Sequence, residues 1–226
     1  MITATAIVLC IIGMALQAAF ITAEYKKSPV WALILKGSAS IVFVIIGYFG
    51  FKHCSDAYFG RMVLLGLVFG AIGDILLNLR FLVKKSSQIV FLAGIAAFLT
   101  GHVMYLLALI PYSKYLLPSI IIGAVLGAAL LWYTFKKINV KLAFMIFGIA
   151  YLGVIVIMTA VAIGNVIAVQ ETCRLLFAIG AVLFTISDVV LIFNTFGEKP
   201  VFSKRILNLS CYYIAQLFIA VSIFFK

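Results

Sequence analysis

Eight apolar stretches, each roughly 18–23 residues long, follow one another along the chain with only short polar breaks between them. Runs of that length without alternation read as membrane-crossing helices, because a strand pattern would repeat every two residues. They are expected near residues 2–22, 30–49, 60–79, 88–110, 116–135, 140–163, 172–195 and 205–225, with ends uncertain by about two to four residues. Short connections predict that sequential helices are antiparallel neighbours. The fold class that follows is an all-α membrane protein, one eight-helix bundle spanning residues 1–226.

Polar residues interrupt this pattern at a few places, and two of the interruptions match. Helix three reads Gly66 to Gly70 to Gly73-Asp74, and helix seven reads Gly180 to Phe184 to Ser187-Asp188. Each aspartate stands eight positions after a glycine and directly after a small residue. The two are separated by about half the chain, which suggests two four-helix halves, 1–113 and 114–226. An even number of helices per half makes the repeat parallel, about an axis along the membrane normal. A carboxylate in hydrocarbon costs several kcal/mol, so it is usually kept for an ion path, a proton relay or chemistry. The chain holds only six acids in total, so two in the membrane interior are a large share.

Composition agrees with the helix pattern. The 226 residues are 66% hydrophobic and 10% charged, which excludes a separate soluble domain. The apolar N-terminal run lacks a basic flank and reads as a retained helix rather than a signal peptide. The net charge of +11 does not indicate nucleic acid, because the cations fall in short loops where they set topology and meet anionic head groups. Loops one, three, five and seven hold Lys26, Lys27, Arg80, Lys84, Lys85, Lys136, Lys137, Lys141, Lys199, Lys204 and Arg205. The other side holds Lys52, Arg61, Lys114, Arg174 and Lys226. The excess predicts that both termini lie outside the cytoplasm and that Asp74, Asp188 and Lys36 lie in the cytoplasmic halves of their helices. Four cysteines without C-x-x-C spacing and two scattered histidines, His53 and His102, argue against a metal site. Cys54 and Cys173 fall on the same side, where either a disulfide or two free thiols fit. Nothing in the sequence specifies an oligomeric state.

The candidate site gathers around the acids. Gly66, Gly70, Asp74 and Asn78 recur every four residues and form one stripe of helix three, with small residues that permit close helix approach. Phe98, His102 and Tyr105 share a face of helix four, and Lys36 and Ser40 a face of helix two. Tyr151 on helix six, with Tyr213 and Gln216 on helix eight, completes the set. Both aspartates, His102 and Tyr105 are expected to line one cavity, walled by Phe69, Phe98 and Phe184. Each member also has a plain structural reading. The aspartates could pair with Lys36 or bond helix amides, Lys36 could snorkel to the interface, and His102 could bond a carbonyl. Asn78 and Gln216 could join helices, and the tyrosines could be packing. His53 and Asp56 read as solvated loop residues, and Gly123-x-x-x-Gly127 as a packing motif.

In order, these residues resemble the YhhN-type lysoplasmalogenase family. The resemblance is carried by Gly66-Leu67-Val68-Phe69 through Gly73-Asp74, and by Phe98 with Gly101-His102-Val103-Met104-Tyr105. It continues with Tyr151 and Met158, Gly180 through Ser187-Asp188, and Tyr213-Ile214-Ala215-Gln216-Leu217. One departure is Gly37, where the family often places proline after the lysine. The resemblance implies a multi-pass protein of a bacterial cytoplasmic membrane. It also implies hydrolysis of the vinyl ether bond of a lysoplasmalogen, a lysophospholipid, without a cofactor. Such chemistry delivers a proton to the vinyl carbon and passes through an oxocarbenium ion, as paired-carboxylate glycosidases do. Asp74 and Asp188 would supply acid and base, His102 or Tyr105 a proton relay, and Lys36 a contact to the lipid phosphate. Intramembrane acids in repeated halves also fit a small proton-coupled lipid or metabolite transporter. Both acids toward one face and unbroken helices speak against that alternative.

Overall fold

The computed structural model describes residues 4–138, 142–197 and 199–226. Eight α-helices occupy them: α1 (Ala4–Tyr25), α2 (Pro29–His53), α3 (Ala57–Leu79), α4 (Ser87–Leu109), α5 (Leu116–Lys137), α6 (Leu142–Ala168), α7 (Thr172–Phe196) and α8 (Phe202–Ser222). All eight are long and apolar enough to cross a membrane, and no strand occurs among the described residues. The starts expected at 2 and 140, and the basic loop residue Lys141, lie outside the described residues, as does the side chain of Lys84.

The helix ends differ from expectation for local reasons. Pro29 opens α2, where its missing N–H costs nothing, and the helix runs on to His53, whose Nδ1 bonds the Phe49 carbonyl at 2.8 Å. The turn before it closes through Lys27 at φ 54°, a conformation uncommon outside glycine. Asp56 caps α3 by accepting from the Phe59 amide at 3.0 Å, and it also accepts from the Tyr112 hydroxyl. Burial pushes its carboxyl up, but these bonds outweigh that and leave it below the usual range. Asp56 is therefore a cap rather than a free loop charge, and His53 stacks on Phe224. The start of α8 comes earlier than expected, with the Val201 amide just before it donating to the Asn194 side chain at 2.7 Å.

Packing follows chain order with one exception. α1 lies on α2, α2 on α3, α3 on α4, α6 on α7, and α7 on α8. Distant parts are joined by α2 with α8 and α4 with α6, and more lightly by α1 and α3 with α8. α5 packs on α6 and not appreciably on α4, against the expectation that every sequential pair is in contact. Its buried positions are Ser119, Gly123, Gly127 and Thr134, one narrow stripe. A Cβ at Gly123 would meet the Ile157 backbone, so glycine lets this pair approach closely. The rest of α5 faces outward, including Trp132, 62% exposed with Lys136 over its ring. Trp31 is similarly exposed near the same end of the bundle, the placement of interfacial anchors. All four cysteines are free thiols.

Candidate functional site

Asp74 and Asp188 line one cavity of about 120 Å³ at the end of the bundle that carries loops one, three, five and seven. Its walls come from the last turns of α3 and α7, the first turns of α4, α6 and α8, and Lys36 on α2. Both aspartates are almost fully buried, at 4% and 3% exposure. Leu77, Ile95, Phe98, Leu191, Ile192 and Phe196 make much of the cavity apolar.

The surroundings of the two acids differ. Asp74 sits against the Lys36 ammonium at 3.4 Å. Ser40 Oγ lies 2.5 Å from its Oδ2, nearer than the Lys36 carbonyl at 2.8 Å, and Tyr212 donates to the same Oδ2 at 2.7 Å. Among the described residues Asp188 has a single donor, the Tyr151 hydroxyl at 2.6 Å. No cation pairs with it among the described residues. Beside it, Asn208 and Ser187 bond reciprocally across α7 and α8 at 2.8–3.0 Å.

Lys36 does not snorkel. It is 2% exposed, and its Nζ stands 4.1 Å from the centre of the Tyr212 ring and 5.3 Å from that of Phe20. Its ammonium faces Asp74 and the rings of Tyr212 and Phe20, inside the cavity rather than at the surface.

Behind the cavity runs a buried chain of hydrogen bonds. Tyr105 donates to Gln216 Oε1 at 2.8 Å, Gln216 Nε2 donates to the Tyr212 hydroxyl at 3.2 Å, and Tyr212 donates to Asp74. The glycine stripe makes this possible. A side chain at Gly66 would collide with the Tyr105 ring, one at Gly70 with Gln216, and one at Gly73 with Phe98. The small residues therefore admit side chains from α4 and α8 rather than backbone alone.

Several sequence expectations are corrected here. Lys36, Asn78, Tyr151 and both acids line the cavity, but His102, Tyr105, Tyr213 and Gln216 do not. His102 is 1% exposed, bonds the Phe98 carbonyl through Nδ1 at 2.7 Å and lies among the rings of Tyr105, Tyr151 and Phe184. A carbonyl only accepts, so Nδ1 carries the proton, and the ring supports Tyr151 from behind. Tyr213 donates to the Ala39 carbonyl at 2.9 Å and joins α8 to α2. Of the expected aromatic wall only Phe98 faces the cavity. Phe184 packs on His102 and Tyr212, and Phe69 is not among the lining residues.

The residues missed are Tyr212, Asn208, Arg205 and Arg80. A signal for two of them was present, since Asn208, Tyr212 and Gln216 recur every four residues on α8 as Gly70, Asp74 and Asn78 do on α3. Choosing Tyr213 instead of Tyr212 rotated the inferred face by one residue, about 100° of helix.

The sequence model of the YhhN family matches residues 31–223, most of the chain. Comparison with curated proteins and with solved structures gives no match. The chain belongs to the YhhN family.

Proposed function

We propose that this YhhN-family chain is a membrane-embedded lysoplasmalogenase, hydrolysing the vinyl ether bond of a lysoplasmalogen in the cavity shared by Asp74 and Asp188. The observation that carries the reading is two buried carboxyls on one cavity with unequal partners. A cation and two hydroxyls directed at Asp74 are the surroundings of a carboxylate. One hydroxyl and no cation at Asp188 are surroundings in which an acid keeps a proton to give away.

In this mechanism Asp188 protonates the vinyl carbon remote from the ether oxygen, and the π electrons shift to leave an oxocarbenium ion. Asp74 stabilises that cation and takes a proton from the water that adds to it. The resulting hemiacetal releases the glycerol oxygen as an alcohol and leaves a fatty aldehyde. In that collapse Asp74 gives the proton it took from water to the departing glycerol oxygen and the hemiacetal hydroxyl gives its proton to Asp188, so one water is consumed and both carboxyls return to their starting states. Lys36, Ser40 and Tyr212 position Asp74, and Tyr151 positions Asp188.

A second apolar pocket of about 40 Å³ shares Gly148, Ile192 and Phe196 with the cavity, and a Cβ at Gly148 would meet nothing within 4 Å among the described residues, which leaves room for the first carbons of a lipid tail. The two acids occupy equivalent positions of a repeat of four-helix halves. Gly66 abuts Tyr105 as Gly180 abuts Ile219, each pair offset like the acids. The excess of cations in the loops at this end supports a cavity mouth at the cytoplasmic leaflet.

The test is purified protein incubated with lysoplasmalogen and, separately, with the matched saturated-ether lipid. Fatty aldehyde and glycerophospho-alcohol should appear in equal amounts from the first only. Transfer of intact lipid between vesicle leaflets without aldehyde would replace hydrolysis with transport.

A further inference from the structure

The buried cavity adjoins a larger chamber through shared lining residues, and the residues at this junction have no part in the chemistry above. This chamber, of about 440 Å³, is bordered by Glu24, Lys27, Phe81 and Phe202. Its volume falls within the roughly 300–1,000 Å³ of ligand pockets. Arg205 and Asn78 border both spaces, and Arg80 lines the inner one.

Three features of the junction are otherwise unexplained. Arg80 has no carboxylate partner among the described residues; its guanidinium lies over the Phe81 and Phe91 rings at 4.7 and 4.3 Å. It is brought down to about 10 by burial and then by the charge of Arg205. Two guanidinium groups lining one cleft focus a field that attracts an anion. Arg205 is held by Glu24 through two bonds, Nε to Oε2 at 2.9 Å and Nη2 to Oε1 at 2.7 Å. A bidentate carboxylate occupies the fork that suits a phosphate. Asn78 is 5% exposed and its Nδ2 donates to the Asp74 carbonyl at 3.0 Å. That carbonyl only accepts, so the amide nitrogen must face it. Oδ1 is left buried with no donor among the described residues, a loss that a buried acceptor rarely sustains.

We propose that Arg80 and Arg205 clamp the phosphate of a lysophospholipid and that Asn78 Oδ1 accepts from its free glycerol hydroxyl, with Glu24 holding Arg205 until the phosphate displaces it. The proposal rests on the lysolipid reading above but not on turnover. A lysolipid has the hydroxyl that satisfies Asn78; a diacyl lipid, esterified there, has no proton to give. The site thus selects for one chain as well as for phosphate.

Binding of non-cleavable ligands separates this from catalysis. The ligands are a saturated 1-O-alkyl lysophosphocholine, the same lipid methylated on its free hydroxyl, and the 1-O-alkylglycerol without phosphate, each titrated into protein in detergent. Wild type should bind the first at least about tenfold more tightly than either of the others. Arg80→Gln should lose the preference for phosphate and keep its affinity for alkylglycerol. Asn78→Leu should lose the preference for the free hydroxyl. Glu24→Gln should bind the phospholipid more tightly, because the competing carboxylate is gone. Thermal unfolding in the same detergent identifies folded variants, and Arg205→Lys, which keeps the charge without the fork, stands in if Arg205→Gln does not fold. Inorganic phosphate should compete weakly with wild type. Phosphate binding as tight as the lipid would assign the site to free phosphate and overturn the lipid claim. Unchanged affinity of folded Arg80→Gln for the phosphate lipid, or equal wild-type affinity for the hydroxyl and methoxy lipids, would overturn the clamp. Aldehyde release plays no part in these readings, so a wrong assignment of the reaction would leave them standing.

Discussion

Asp74 and Asp188 follow a glycine at the same distance, on helices three and seven that pack alike against their successors, yet they are served differently. Asp74 receives a lysine from α2 and hydroxyls from α2 and α8. Asp188 receives one tyrosine from α6. At the sequence offset that separates the two acids, Lys36 falls on Ala150, Tyr151 on Gly37 and Tyr212 on Phe98. The helices that carry the acids are alike around them, and the helices that face them differ. An acid–base pair needs that asymmetry, because two carboxyls in identical surroundings would share a proton rather than divide the labour.

The largest effects should come from removing the acids themselves. Asp188→Asn and Asp74→Asn should each lower kcat by about 10²–10⁴, with KM little changed. Either variant retaining more than about a tenth of wild-type turnover would reduce that residue to structure.

Next is Lys36. Because its ammonium meets Asp74 away from water, Lys36→Met should destabilise the protein by about 3–5 kcal/mol by leaving a buried charge alone. Adding Asp74→Asn should recover part of that loss. Kinetically, kcat should fall with KM nearly constant, the reverse of what a phosphate-binding lysine would give. A rise in KM alone would return Lys36 to the head group.

The two tyrosines sharpen the comparison further. A hydrogen bond to a charged group is worth about 1.5–3 kcal/mol and one between neutral groups about 0.5–1.5. Tyr212→Phe should therefore cost more stability than Tyr151→Phe, read from thermal unfolding. Equal costs, or the opposite order, would remove the assignment of the proton to Asp188. The smallest expected difference lies at the packing glycines. Gly66→Ala must displace the Tyr105 ring, and Gly180→Ala meets Ile219 and the Ala215 carbonyl. Each should cost about 1–3 kcal/mol, and only Gly66→Ala should disturb the bond chain to Asp74, so only it should also lower kcat. Equal kinetic effects would mean that the chain through Tyr105 and Gln216 does not support Asp74.

How much of this was legible follows from the same residues. Length and hydropathy define a membrane helix locally, so all eight were readable in the sequence, as were the paired acids. Asn78 and Tyr151 also reached the cavity as expected, since a polar group in a helix interior has few places to go. Which helix faces meet is a property of packing, which a local pattern does not report. His102 satisfies itself on its own helix, and Tyr213 turns to α2 while its neighbour Tyr212 takes the cavity. Arg80 and Arg205 read as ordinary loop cations because they stand at helix ends, where charge patterning normally reports topology. Only the convergence of α3, α4 and α8 gives them a shared space. The peripheral position of α5 was likewise hidden, because its sequence is as apolar as that of the core helices.

The proton transfer from Asp188 to carbon can be followed in deuterated water. Aldehyde formed by the wild type should carry one deuterium on the carbon next to the carbonyl, at every turnover. Asp188→Asn should form no such product above the protein-free rate. Aldehyde without deuterium, or deuterated aldehyde from Asp188→Asn at the wild-type rate, would contradict the account.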